Sequence, residues 1–184
     1  MDLNQRIAAR VRQLRAACDF SLEALADRSG VSRSMISLIE RGETSATAVV
    51  LEKLAAALSI TLAALFEPPA ASAAPLVRRA DQAVWRDPDS GYVRRNVSPS
   101  GTLTPIQIVE VDFPAGAHIA YETGSREPAA HQQVWVLEGQ IDVTVGAEQY
   151  SLQEGDCLAF PLDRPTAFRN RTRKTARYAV VIVS

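Results

Sequence analysis

Arg33, Ser34, Ser37 and Leu38 are the side chains of this chain best suited to reading another molecule. They fall on one side of a short periodic stretch whose other side is Met35, Ile36 and Ile39. A guanidinium at the start of such a stretch can donate two parallel hydrogen bonds to the major-groove edge of guanine, worth roughly 1–3 kcal/mol of discrimination. Serine hydroxyls are short enough to let a helix lie deep in a groove, and they bond base edges or phosphates. Arg41 and Thr44, just past the stretch, suit phosphate oxygens, contacts that position without specifying. Ser32, immediately before it, completes the set. The chemistry is that of contacts to double-stranded DNA.

Such side chains need a rigid carrier. Leu22, Leu25 and Ala26 recur at helical spacing, Gly30 can take the left-handed conformation that ends a helix, and Ser32 can cap the next one. Gly42 supplies a second stop after Glu40-Arg41. Two helices of about two turns joined by a glycine-containing turn form a helix-turn-helix, whose second helix enters the major groove. Ile7, Val11 and Leu14 predict a helix over 6–17 before it. Val50, Leu51, Leu54 and Leu58 predict a fourth over 47–59, and residues 62–66 a fifth.

Residues 7–66 resemble the lambda-repressor/Cro-type (XRE) helix-turn-helix family. The marks are Leu14-Arg15, Leu25-Ala26, Gly30-Val31-Ser32, Ile39-Glu40-Arg41-Gly42 and Leu65-Phe66. The resemblance implies a five-helix domain and a partly buried ion pair between Arg15 and Glu40. Two positions depart from it. Ala46 stands where the family has proline, which loosens the start of the next helix, and Leu22 where it often has a phosphate-gripping glutamine.

At 184 residues the chain can hold one or two domains, each with its own core. No apolar run approaches the ~18 residues of a membrane span, and the first residues lack the apolar stretch of a signal peptide. Cys18 and Cys157 are far apart and lack metal-type spacing, so two reduced thiols and a cytoplasmic location are expected. Net charge is -1. Residues 1–67 carry eight basic residues (Arg6, Arg10, Arg12, Arg15, Arg28, Arg33, Arg41, Lys53) and eight acidic ones (Asp2, Asp19, Glu23, Asp27, Glu40, Glu43, Glu52, Glu67). A neutral head must cluster its arginines to face DNA, and weak non-specific binding follows.

Residues 68–75, PPAASAAP, read as an extended linker between a helical domain over 1–67 and a second domain over 76–184. Beyond it come short alternating strands, among them 107–113, 134–137, 141–145, 157–160 and 177–183, separated by glycine turns. That texture predicts a closed antiparallel barrel or sandwich, and with the helices an α+β, two-domain chain. His131 to Asn170 resembles the cupin barrel through Val136-Leu137-Glu138-Gly139, Gly155-Asp156, Pro161 and Phe168-Arg169-Asn170. At the family's metal-ligand positions this chain has Arg126, Pro128, Gln132 and Thr166. His131 is one residue off, which in a strand turns the ring to the opposite face, and His118 stands alone. Transition metals need several N, S or carboxylate donors on one centre, so no metal and no cofactor are expected.

A barrel without metal still encloses a pocket. The resemblance points Gln132 and Thr166 into it; Phe168 shares the parity of Thr166, and Tyr121 and Tyr178 lie nearby. Amide, hydroxyl and aromatic groups suit a small uncharged-to-zwitterionic ligand. Three readings stand: a ligand-responsive regulator, with repression the favoured sign, acting as a homodimer on an operator; a metal-dependent cupin enzyme tethered to DNA; and a barrel that only pairs two chains. The residues favour the regulator.

Overall fold

The computed structural model describes residues 3–66, 74–100, 105–122 and 130–183. Five helices come first: α1 (Leu3–Ala17), α2 (Leu22–Ser29), α3 (Arg33–Arg41), α4 (Ala48–Ala57) and α5 (Leu62–Leu65). Side-chain caps start four of them. Ser21, Ser32, Thr47 and Thr61 each accept a hydrogen bond from the backbone N–H three residues on, the geometry that satisfies an orphan donor of a first turn. Gly30 and Gly42 end α2 and α3 at φ 66° and 70°. Thr47 thus starts α4 despite the missing proline at Ala46.

Among the described residues ten strands follow: β1 (Val84–Arg86), β2 (Val93–Asn96), β3 (Ile106–Phe113), β4 (His118–Tyr121), β5 (His131–Glu138), β6 (Gln140–Val145), β7 (Glu148–Gln153), β8 (Cys157–Pro161), β9 (Thr166–Arg169) and β10 (Ala176–Val183). They form a six-stranded sheet in the order β1-β2-β3-β10-β5-β8 and a four-stranded sheet in the order β4-β9-β6-β7. Every pairing is antiparallel. Inner positions such as Val109, Val111, Val134, Val136 and Ile141 are sealed, with neighbours along each strand more exposed, the period-two signature of a sheet with one buried face. The architecture is α+β, a helix-turn-helix head on a cupin barrel.

The cores of the helical and strand halves are continuous. Buried apolar residues of helices and strands form one continuous cluster. Its bridge is the β1–β2 hairpin, whose Trp85 lies 5.4 Å from the Phe66 ring and 5.8 Å from Tyr92. Polar contacts follow the same seam: Thr61 donates to Gln107 Oε1 at 2.7 Å, and Lys53 pairs with Glu122 at 3.4 Å. Of the stretch expected to link the halves, 68–75, residues 68–73 lie outside the described residues. A buried bond across the seam is made by Asp87, 2% exposed, whose Oδ1 accepts from the Ala48 N–H at 2.8 Å while Oδ2 accepts from Ser90 N–H at 2.8 Å and Ser90 Oγ at 2.6 Å. A carboxylate at the first N–H groups of α4 also meets the positive end of its dipole.

Asp87→Ala removes these bonds and is expected to cost about 2–3 kcal/mol, with the helical half unfolding before the barrel in denaturant titrations. A loss within ~0.5 kcal/mol, the range of ordinary surface changes, would mean the seam does not depend on it.

Candidate DNA interface and barrel cavity

Helix α3 is fixed from inside and open outside. Ile36 and Ile39 are buried, Ser32, Arg33 and Ser34 are exposed, and Ser37, Leu38 and Thr44 are half-buried. The Ser32 hydroxyl accepts the Met35 N–H at 3.3 Å and lies 3.2 Å from Ser34 Oγ, so it is occupied with capping. The pair implied for Arg15 and Glu40 is formed as a fork, Nε to Oε1 at 2.7 Å and Nη2 to Oε2 at 2.9 Å. Arg15 Nη1 also donates to the Phe20 carbonyl at 2.7 Å. Hydrogen bonding to Glu40 raises the Arg15 pKa above its ordinary value. The pair ties α1 to the C-terminal turn of α3 and so sets the angle at which α3 projects.

Arg41 was expected to face phosphate. In this structure its Nε and Nη2 donate to Glu43 at 2.8 and 2.9 Å, and its Nη1 donates to the Ser37 hydroxyl at 2.5 Å. Two candidate contacts, Ser37 and Arg41, therefore bond each other and a carboxylate. DNA must exchange Glu43 for a phosphate to engage Arg41. Sequence pattern missed this because the partners straddle the helix stop at Gly42.

All five residues expected to line the pocket, Tyr121, Gln132, Thr166, Phe168 and Tyr178, surround one cavity of about 60 Å³. Inward and outward residues alternate: Gln132 is buried while His131 is exposed, and His118 is exposed as well. The cavity does not belong to the barrel alone. Glu52, Thr61 and Leu62 of the helical half line it too, as do Tyr92 and Arg94 of the hairpin. Tyr92 and Tyr121 meet hydroxyl to hydroxyl at 3.3 Å, and the Phe168 and Tyr178 rings stack at 5.9 Å. Burial raises the pKa of Tyr178, Tyr121 and Tyr92, for Tyr92 against the opposing charge of Arg94, so the three phenols are neutral.

Arg94 is the residue the sequence reading lacked, and it adds a cation to the amide, hydroxyl and aromatic groups expected there. Its neighbourhood, Val93-Arg94-Arg95-Asn96, looks like a charged turn. Yet it alternates inward and outward in step with buried Tyr92, and that parity was the available signal.

A cupin metal does not fit the residues described here. Gln132 and Thr166 offer an amide and a hydroxyl, and the Arg94 cation shares their cavity. Among the described residues no three His, Cys, Asp or Glu side chains cluster as a metal site. Arg126 and Pro128 lie outside the described residues.

A capped reading helix on a five-helix head, seated on a cupin barrel, defines a DNA-binding transcriptional regulator of the XRE type. The comparisons agree. Residues 11–65 match the family HTH_3, Helix-turn-helix, and residues 110–183 the family Cupin_2, Cupin domain. The chain is 27% identical over 181 residues to the HTH-type transcriptional regulator SutR of Escherichia coli (strain K12), covering 98% of this chain and 96% of that protein. A crystal structure of an HTH_3 family transcriptional regulator from Vibrio cholerae matches with TM-score 0.78 and 25% identity, covering 99% of this chain and 97% of that one. The hydroxypropylphosphonic acid epoxidase from S. wedmorenis shares the fold, with TM-score 0.50 and 17% identity over 99% of this chain and 98% of that one.

Releasing Arg41 is expected to strengthen DNA binding of every sequence alike. Glu43→Gln should raise affinity for an unrelated duplex and steepen the slope of log K against log salt by about one, the increment of one added phosphate contact. An unchanged slope would mean that Arg41 reaches no phosphate.

Proposed function

We propose that this chain is a cytoplasmic repressor that binds a symmetric operator as a homodimer and responds to a small effector held in the barrel cavity. The operator is read by Arg33 and Ser34 directly, with Ser37, Leu38, Arg41 and Thr44 seating the helix on the groove. The observation that carries this reading is the exposed N-terminal turn of α3, Ser32 to Ser34, on a helix whose other face is sealed into the core.

One such head reads few base pairs. Two heads held ~34 Å apart on a two-fold site gain what one lacks. Support for pairing comes from the outer face of the six-stranded sheet. Ile106 and Ile108 of β3 and Val183 of β10 are exposed there, beside Trp135 of β5 at 49% exposure. The register sets Ile106 against Val183, Ile108 against Val181, and Trp135 against Ala179, giving a contiguous apolar surface. Exposed patches of this kind mark association sites. In this reading the barrel catalyses nothing; its cavity takes a ligand that the two DNA-binding arrangements hold unequally.

Gel-shift assays on operator and scrambled duplexes test the assignment. Arg33→Ala should lose roughly 1–3 kcal/mol of discrimination at one guanine position while the fold is kept, and retained selectivity would count against it. Trp135→Glu should weaken self-association at least about tenfold, since a desolvated charge at an interface centre is costly. Sedimentation equilibrium that finds the dimer unaltered would remove this face from the interface.

A further inference from the structure

Arg94 is 6% exposed, yet its Nε and Nη2 have no hydrogen-bond partner among the described residues. A guanidinium carries five N–H donors and stays charged, and leaving such donors unmet in the interior is costly. Phe66 covers one face of it, ring centroid to Cζ 5.5 Å. A ring face satisfies the charge in part and the in-plane N–H groups not at all. Arg94 lines the cavity.

The cavity's other groups narrow what would meet them. Its three phenols are held neutral by burial. Among the described lining residues Arg94 is the one cation, and Glu52, the one carboxyl group, has an interaction of its own. The open Nε and Nη2 of Arg94 call for an acceptor, and one that carries negative charge meets a guanidinium best. A planar fork of donors matches a carboxylate in two bonds. Val111, Val180 and Ile182, on the same sheet as Arg94, give the cavity a short apolar surface. At roughly 10–15 Å³ per water-sized position, about 60 Å³ admits only a few non-hydrogen atoms.

We propose that the cavity binds a small, singly charged carboxylic acid of about four to six non-hydrogen atoms, clamped by Arg94, and that the helical half senses its presence. This deepens the effector reading above and rests on it. Arg94 touches the cavity on one side and Phe66, the residue that ends α5, on the other. Thr61, the cap of α5, and Leu62 line the same cavity. An anion that draws the guanidinium toward itself changes the packing under the end of the head, so the two arrangements hold it with unequal affinity.

Thermal unfolding and calorimetric titration of the full chain with acetate, propionate, L-lactate and pyruvate, each paired with its neutral amide, test this at fixed ionic strength. At least one acid should stabilise saturably and bind about tenfold or more tighter than its amide. Arg94→Lys should lose about tenfold in acid affinity, because it keeps the charge and loses the fork. If that variant fails to fold, the acid–amide comparison on the unmutated protein decides alone. Amides binding as well as acids, saturation by phosphate or sulfate in their place, or no saturable response to any acid overturns the proposal. Operator gel shifts separate it from the reading it rests on. A neutral metabolite that saturates and shifts operator affinity would keep the effector reading and remove the carboxylate. An acid that binds while operator affinity stays constant would overturn the sensing by the helical half.

Discussion

The structure depends on a carboxylate buried between its halves. Asp87 accepts the first backbone N–H of α4 and, through its other oxygen, closes the β1–β2 hairpin on Ser90. Its charge is acceptable inside because every bond it makes is charge-assisted and one comes from a helix N-terminus. Because α4 starts there, the head cannot swing freely on its tether. Trp85 then fills the angle between head and barrel, with Phe66 on one side and Tyr92 on the other.

From that seam a run of rings enters the barrel. Phe66, Trp85, Tyr92, Phe113, Tyr178, Phe168 and Tyr121 follow one another at centroid separations of 5.4 to 6.3 Å. Close-packed interiors transmit displacement because they have little room to absorb it. Four of these rings also border the cavity. The wall of the cavity and the floor under the head are thus one piece of packing. A hinge between two independent domains would have no such continuity.

The helical half was legible because its punctuation is local. Ser32, Gly30 and Gly42 act within one turn of themselves, so pattern alone located that cap and those stops. The barrel was legible in its long apolar strands and not in its short ones. β1, β2 and β4 have three or four residues each, too few for alternation to stand out. Gln132 and Thr166 could be placed inward through family likeness, since only closure of the barrel decides which parity faces in. Arg94 and Asp87 were hidden for a different reason. A charged residue in a short segment reads as solvated, and its burial comes from the head packing down on it, a long-range event with no local trace.

The pairing of Arg41 with Glu43 bears on how fast the protein finds its target. A head with equal numbers of basic and acidic residues, one arginine already engaged by a neighbouring carboxylate, gains little from an arbitrary stretch of duplex. It dwells there briefly and lets go, so more of its time goes to sampling new positions. In the proposed mode of DNA binding, this self-masking at the C-terminal end of α3 trades grip for search speed, and reserves lasting residence for sites where base-edge contacts add to the backbone ones.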